Sequence, residues 1–176
     1  MPTPFETLVE SEKLIAGSPI WRPKPNSKGV LKLVASLRIG SRVMQGLELI
    51  GQANATIRNC DVSFVLIYLP SDNRREAVRF CRIDWRPLTP HSNDHPNTPP
   101  ELIGDIPGSH HHAFRLNWSA KNGAPLKALP IAEEITPDYQ SFKQLLDGVA
   151  HSFRIANAAS LPSPWPEDLF DDKHSI

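Results

Sequence analysis

The chain has 176 residues, enough for one well-buried core and short for two. Its 19 lysines and arginines balance 19 aspartates and glutamates, so no global field draws it to nucleic acid or an anionic membrane, and any such binding must come from a local patch. It opens without the basic start and apolar core of a secretory signal, and no apolar run approaches the roughly 20 residues of a membrane helix, so a cytoplasmic protein with no membrane partner is expected.

Phe5, Leu8, Val9, Leu14 and Ile15 recur near helical spacing over 3–16, with Gly17 as a stop, which predicts a short amphipathic helix. Pro19, Pro23 and Pro25 then force an extended connector in which Trp21 is pinned down. Strand patterns follow over 30–39, 46–57 and 61–69, and their short connections predict an antiparallel meander. A fourth strand over 77–85 changes phase, with Val78 and Phe80 apolar on even numbers and Cys81, Ile83 and Trp85 on odd ones. A bulge near Phe80-Cys81 reconciles the two, and beyond it Arg82, Asp84 and Arg86 share a face. Cys60 and Cys81 belong to no Cys-x-x-Cys pair and are expected as buried structural thiols.

The connection over 87–109 exceeds the roughly 12–15 residues at which a structureless loop becomes uncommon, so it is expected to be functional or disordered. A fifth strand over 110–118 would place His110, His112, Phe114, Leu116 and Trp118 on one side, leaving His111 solvated on the other beside Arg115. The turn at Asn122-Gly123 leads to a sixth strand over 126–131. A helix is predicted over 137–154, with Thr136 as N-cap, Pro137 at N1, and Tyr139, Phe142, Leu145, Leu146, Val149 and Phe153 as its buried stripe. In the tail, Trp165 and Phe170 are expected to fold back on the body. The predicted class is α+β, a bent antiparallel sheet of five to six strands with an N-terminal and a C-terminal helix packed on one face. A single domain over 1–176 is expected: helix and connector over 1–25, core over 29–160 and extended tail over 161–176.

Five of the seven histidines fall between residues 79 and 118. In the pairs His91-x-Asn93 and His110-x-His112, residues two apart on an extended backbone present side chains about 7 Å apart on one side. If the fourth and fifth strands are neighbours, these side chains meet at one end of the sheet with Arg82, Asp84, Arg86 and Arg115. Three chemistries suit that arrangement. Neutral imidazoles with Asp84 or Asp94 could ligate a divalent metal such as zinc, manganese or iron. Two histidines could move protons on a phosphodiester while arginines stabilise the developing charge. Arginine, histidine and tryptophan side chains could instead form a surface that recognises nucleic acid or a protein. Plainer roles compete with each. His110 and His112 could cap a strand, Arg82 and Asp84 could pair with each other, Trp85 and Trp118 could be core or rim aromatics, and His95, His151 and His174 are expected at the surface.

Arg82-Ile83-Asp84, His91-Ser92-Asn93, His110-His111-His112-Ala113-Phe114 and Arg154-Ile155-Ala156-Asn157 occur in that order. Together they resemble an uncharacterised family of small bacterial proteins with Arg-hydrophobic-Asp, His-x-Asn, His-x-His-x-aromatic and hydrophobic-Asn motifs, over roughly residues 20–160. Asp94-His95-Pro96 departs from that family's Pro-Asp-Gly turn. The resemblance implies a shared site, without an activity.

The leading expectation is a small intracellular bacterial or mobile-element protein acting on a phosphorylated or nucleic-acid substrate, in the manner of a nuclease or phosphodiesterase. His110 and His112 would be acid/base groups or metal ligands, His91 their partner, Asp84 and Asn93 orienting groups, and Arg82, Arg86, Arg115 and Trp118 binding residues. The alternative is an interaction protein such as an antitoxin, an inhibitor or an accessory factor.

Overall fold

The structure, a computed structural model, describes residues 3–71 and 73–165. The tail beyond 165, with the expectations for Phe170 and His174, lies outside the described residues. Helix α1 (Pro4–Glu10) starts with a capping box: the Thr3 hydroxyl accepts the Glu6 N–H at 3.2 Å, and the Glu6 carboxylate accepts the Thr3 N–H at 2.6 Å. It is shorter than the expected 3–16 because Lys13 ends it. The buried Lys13 ammonium donates to the carbonyls of Leu8, Val9 and Ser11 at 3.0, 2.8 and 2.6 Å, satisfying groups a helix terminus leaves open. Burial pushes the Lys13 amine down to about 8.

The chain then runs through β1 (Leu14–Ile15), β2 (Arg22–Pro23), β3 (Val30–Ile39), β4 (Arg42–Asn54), β5 (Val62–Tyr68) and β6 (Val78–Trp85). It continues through β7 (His91–Asn93), β8 (Gly104–Ile106), β9 (His110–His112), β10 (Trp118–Ser119), β11 (Ala124–Pro125) and β12 (Glu133–Glu134) to α2 (Phe142–Phe153). The main sheet is antiparallel, ordered β1-β3-β4-β5-β6-β9-β12, with β2 also on β3. The α+β class and the β3–β6 meander match expectation. The sheet has eight strands rather than five or six, because two-residue segments too short to carry a periodic pattern dock on its edges.

Alternation makes the core. Leu33, Ala35 and Leu37, Leu47 and Leu49, Phe64 and Leu66, and Ile83 and Trp85 are buried with Leu145, Leu146, Val149 and Phe153 of α2. Leu66 pairs with Cys81 and Ile67 with Arg79, so Phe80 is the extra residue of the expected bulge, and Phe80 and Cys81 are both buried. Cys60 is only half-buried. Trp21 is pinned as expected: its ring lies against Phe64 and its Nε1 donates to the Pro162 carbonyl at 2.8 Å. Gly51 makes room for it, since a Cβ there would stand 2.6 Å from Trp21 Cη2 and 2.9 Å from Phe64 Cε1. Gly51→Ala is expected to cost about 1–3 kcal/mol through overpacking, read as a lower urea midpoint with an unchanged slope.

The second half departs further from expectation. Residues 87–109 hold the β7–β8 hairpin rather than a featureless loop. Strand β9 ends at His112 and the chain turns at 113–117, so Leu116 and Trp118 do not continue it. No sixth strand spans 126–131; Ala128 and Leu129 take positive φ of 65° and 53°, and this segment is held by side chains instead. Helix α2 starts at Phe142, five residues later than position 137, after the Ser141 N-cap, whose hydroxyl accepts the Gln144 N–H at 3.2 Å. Tyr139 stays outside because its carbonyl accepts from Trp85 Nε1 and Arg86 Nη2, each at 3.0 Å. In the tail, Trp165 is buried and donates to the Asn54 carbonyl at 2.9 Å. No helix among the described residues is long and apolar enough to cross a membrane.

Candidate functional site

Pairing of β6 with β9 sets Arg82 opposite His112 and Asp84 opposite His110. These four side chains share the sheet face away from the α2 core, since Ile83 and Trp85 between them point into that core. The β7–β8 hairpin brings His91 against them. Ring centroids are 5.1 Å apart for His91 and His110, 4.7 Å for His91 and His112, and 5.0 Å for His110 and His112. One ring nitrogen from each of the three histidines lies within 4.8 Å of the others.

Asparagines fix the hairpin. Asn93 Nδ2 donates to the carbonyls of Leu102 and Ala132, both at 2.8 Å, and its Oδ1 accepts the Ala132 N–H at 2.9 Å. Asn117 treats the preceding residue alike, with Nδ2 donating to the Ile131 carbonyl at 2.8 Å and Oδ1 accepting the Ile131 N–H at 2.9 Å. Each amide thus does for one residue what a neighbouring strand would do. The strapped segment delivers the Pro130 carbonyl to His91 Nε2 at 3.0 Å, while Asn93 Oδ1 stands 3.0 Å from the same nitrogen.

Asp84 Oδ2 is the hub. It accepts from Arg82 Nε at 2.7 Å and lies 3.1 Å from His110 Nε2 and 3.2 Å from His112 Nε2. Arg82 Nη2 also donates to His112 Nε2 at 2.6 Å, and His110 Nδ1 lies 2.9 Å from the Gly108 carbonyl. Burial would raise the Asp84 carboxyl, but its polar contacts with His110 and His112 together with the Arg82 guanidinium hold it well below the usual carboxylate range. Burial pushes His112 down to about 4 against the opposing pull of Asp84, and also lowers His91. These two rings are therefore neutral at pH 7. His110 and His112 are 2% and 0% exposed, so solvent reaches the cluster through half-buried His91, Arg82 and Asp84. Asp84 also borders a recess of about 170 Å³ shared with Gln52, Ser63 and Pro87.

Of the residues singled out in the sequence, His91, His110, His112, Asp84 and Arg82 come together. Asn93 touches His91 but is committed to backbone. Arg86 turns away with φ 47°, pairing with Asp138 at 3.0 Å and lying 5.1 Å over the Trp85 ring. Arg115 is exposed and pairs with Glu10 of α1 at 3.1 Å, and Trp118 packs on Phe114 in the recess they share with Glu6. Asp94 is exposed and outside the converging group. His111 is not solvated: its ring lies 6.3 Å from Phe153, its Nε2 is buried, and burial pushes it down to about 4. Sequence reading missed the carbonyls of Gly108 and Pro130, for which a sequence holds no signal, and Asn117, whose signal is an amide inside an apolar run.

Comparison of the chain with models of protein families, with curated proteins and with solved structures found no match.

Proposed function

We propose that this cluster is the reaction centre of an enzyme acting on a phosphoester, in a phosphorylated small molecule or a nucleic acid. The observation that carries this reading is the convergence of two imidazoles and one guanidinium on the Asp84 carboxylate, with the third imidazole, His91, packed against the other two and Asp84 at the border of an open recess. Arg82, part-exposed at the mouth, offers fixed positive charge to phosphate oxygens as charge develops on them. The imidazoles offer nitrogen lone pairs that can take a proton or hold a cation, and Asp84 orients two of the rings. The test is hydrolysis of bis(4-nitrophenyl) phosphate and of single-stranded RNA and DNA by protein purified without a histidine tag. Turnover that falls at least about 100-fold in Arg82→Ala and His91→Ala, with both variants folded by circular dichroism, is expected. Absence of turnover on all three substrates overturns the reading.

A second reading, an interaction protein, draws on a separate observation. Leu88 and Ile103, at the two ends of the β7–β8 hairpin, are 58% and 66% exposed. Apolar side chains so placed suit contact with a partner protein.

A further inference from the structure

We infer that His91, His110, His112 and Asp84 bind one divalent cation of the zinc class. The inference takes up the cation-holding alternative of the phosphoester reading, uses the same residues and is tested without substrate.

Hydrogen bookkeeping leads to the ion. The Gly108 carbonyl can only accept, so the 2.9 Å contact places a hydrogen on His110 Nδ1. In a neutral ring the remaining nitrogen, Nε2, is then a bare lone pair, and it faces Asp84 Oδ2, another lone-pair atom, at 3.1 Å. Two lone-pair atoms at that separation repel each other, an opposition that Arg82 on the far side of the contact offsets only in part and that a second ring proton or a metal ion between them turns into attraction. His91 repeats the pattern. Its Nε2 lies 3.0 Å from two oxygens, the Pro130 carbonyl and Asn93 Oδ1, and Asn93 Oδ1 is identified as the oxygen by the Ala132 N–H it accepts. Nε2 therefore carries the hydrogen and Nδ1 the lone pair. Imidazoles that bind metals use this device, giving the far N–H to a carbonyl so that the near nitrogen faces the ion.

The spacing agrees. A tetrahedral ion with bonds of about 2.0–2.1 Å separates its ligands by about 3.3–3.4 Å. Asp84 Oδ2 lies 3.1 and 3.2 Å from His110 Nε2 and His112 Nε2, so the sheet presents a nearly formed side of the tetrahedron. One nitrogen from each of the three rings lies within 4.8 Å of the others, so His91 can complete the set by moving from the hairpin toward the sheet. Three imidazoles and one carboxylate without a thiolate suit zinc and its neighbours rather than magnesium or calcium, which prefer oxygen.

Arg82 is the counterpart of the ion. Its Nη2 stands on the His112 Nε2 lone pair at 2.6 Å, a place a dication and a guanidinium cannot share. Its side chain is 29% exposed and can swing outward, so the guanidinium and the metal alternate at one position. Metal entry then turns Arg82 toward the mouth, where a phosphate would meet it.

The test uses tag-free protein stripped with a chelator and titrated with Zn²⁺ and with Co²⁺. About one ion per chain is expected, with the intense visible absorption of four-coordinate cobalt. His91→Ala and Asp84→Asn should each weaken binding at least about 10-fold, Arg82→Met should leave it equal or tighter, and His95→Ala, outside the cluster, should not change it. Uptake below about half an ion per chain overturns the site, leaving His110 as a plain imidazolium paired with Asp84. Full uptake that both ligand variants retain overturns it too. A normal cobalt spectrum without phosphoester turnover would sink the catalytic reading and leave the metal site standing; phosphoester turnover by protein that takes up no metal would do the reverse.

Discussion

Asn93→Ala is expected to lower the unfolding free energy by about 3–4 kcal/mol, a large part of the 5–15 kcal/mol that holds a typical domain together. The amide is fully buried and serves four groups: the carbonyls of Leu102 and Ala132, the Ala132 N–H and the His91 ring. Truncation leaves Ala132, itself 0% exposed, with no partner for either backbone group, and each orphaned group costs about 1–3 kcal/mol where no water enters. Asn93→Asp should be at least as harmful, because its second oxygen would face two carbonyls in place of an N–H₂. Asn117→Ala removes the matching clamp on Ile131. Because the two clamps hold consecutive residues, releasing one loosens the other, and the double variant should lose less than the sum of the singles by about 1 kcal/mol. Urea melts of the four proteins measure this. Strict additivity would mean that residues 131 and 132 are held independently.

The same clamps explain why the second half of the chain was hard to read in advance. Strands β3 to β6 are long and alternate in polarity, so their existence, their antiparallel order and the bulge at Phe80 follow from periodicity alone. Residues 126–132 have apolar spacing that resembles a strand, yet their backbone partners are the Asn93 and Asn117 side chains, about which a periodic pattern carries no information. Lys13 misled in another way. It continues a helical pattern in sequence, but its ammonium folds back on the carbonyls of Leu8, Val9 and Ser11 and stops the helix.

The site was legible where it depends on strand geometry. Two-residue spacing places Arg82 with Asp84 and His110 with His112, and pairing of β6 with β9 merges the two pairs. Arg115 and Trp118 fell away because the chain turns after His112, which breaks the alternation on which their placement rested. Arg86 fell away because its positive φ reverses the direction its place on the strand implies. His111 points where alternation says it should, but that face is covered by α2 rather than water.

Asp84→Asn is expected to lower stability at pH 7 by about 2 kcal/mol, within the roughly 1.5–3 kcal/mol that a hydrogen bond to a charged group contributes. It keeps the shape of the side chain but takes away the charge that Arg82 Nε meets at 2.7 Å and that two imidazoles face at 3.1 and 3.2 Å. The pH dependence identifies the group. The carboxyl is held below its ordinary 3.8, so its contribution is complete above about pH 4 and is lost as pH falls further toward the folded-state value. His111 and His112 act in a different window. Both are pushed down from 6.5 to about 4, so the unfolded chain binds more protons between those values and stability declines there on acidification, in the parent and also in the variant, where His112 without the pull of Asp84 lies lower still and the difference is felt only near pH 4. The gap between parent and Asp84→Asn should therefore stay roughly constant from pH 7 to pH 5 and narrow below about pH 4. Urea midpoints at half-unit intervals from pH 3 to 7 would measure it. A gap that closes above pH 5 would assign the loss to the imidazoles, and no gap at pH 7 would mean that Asp84 is not the centre on which the cluster is built.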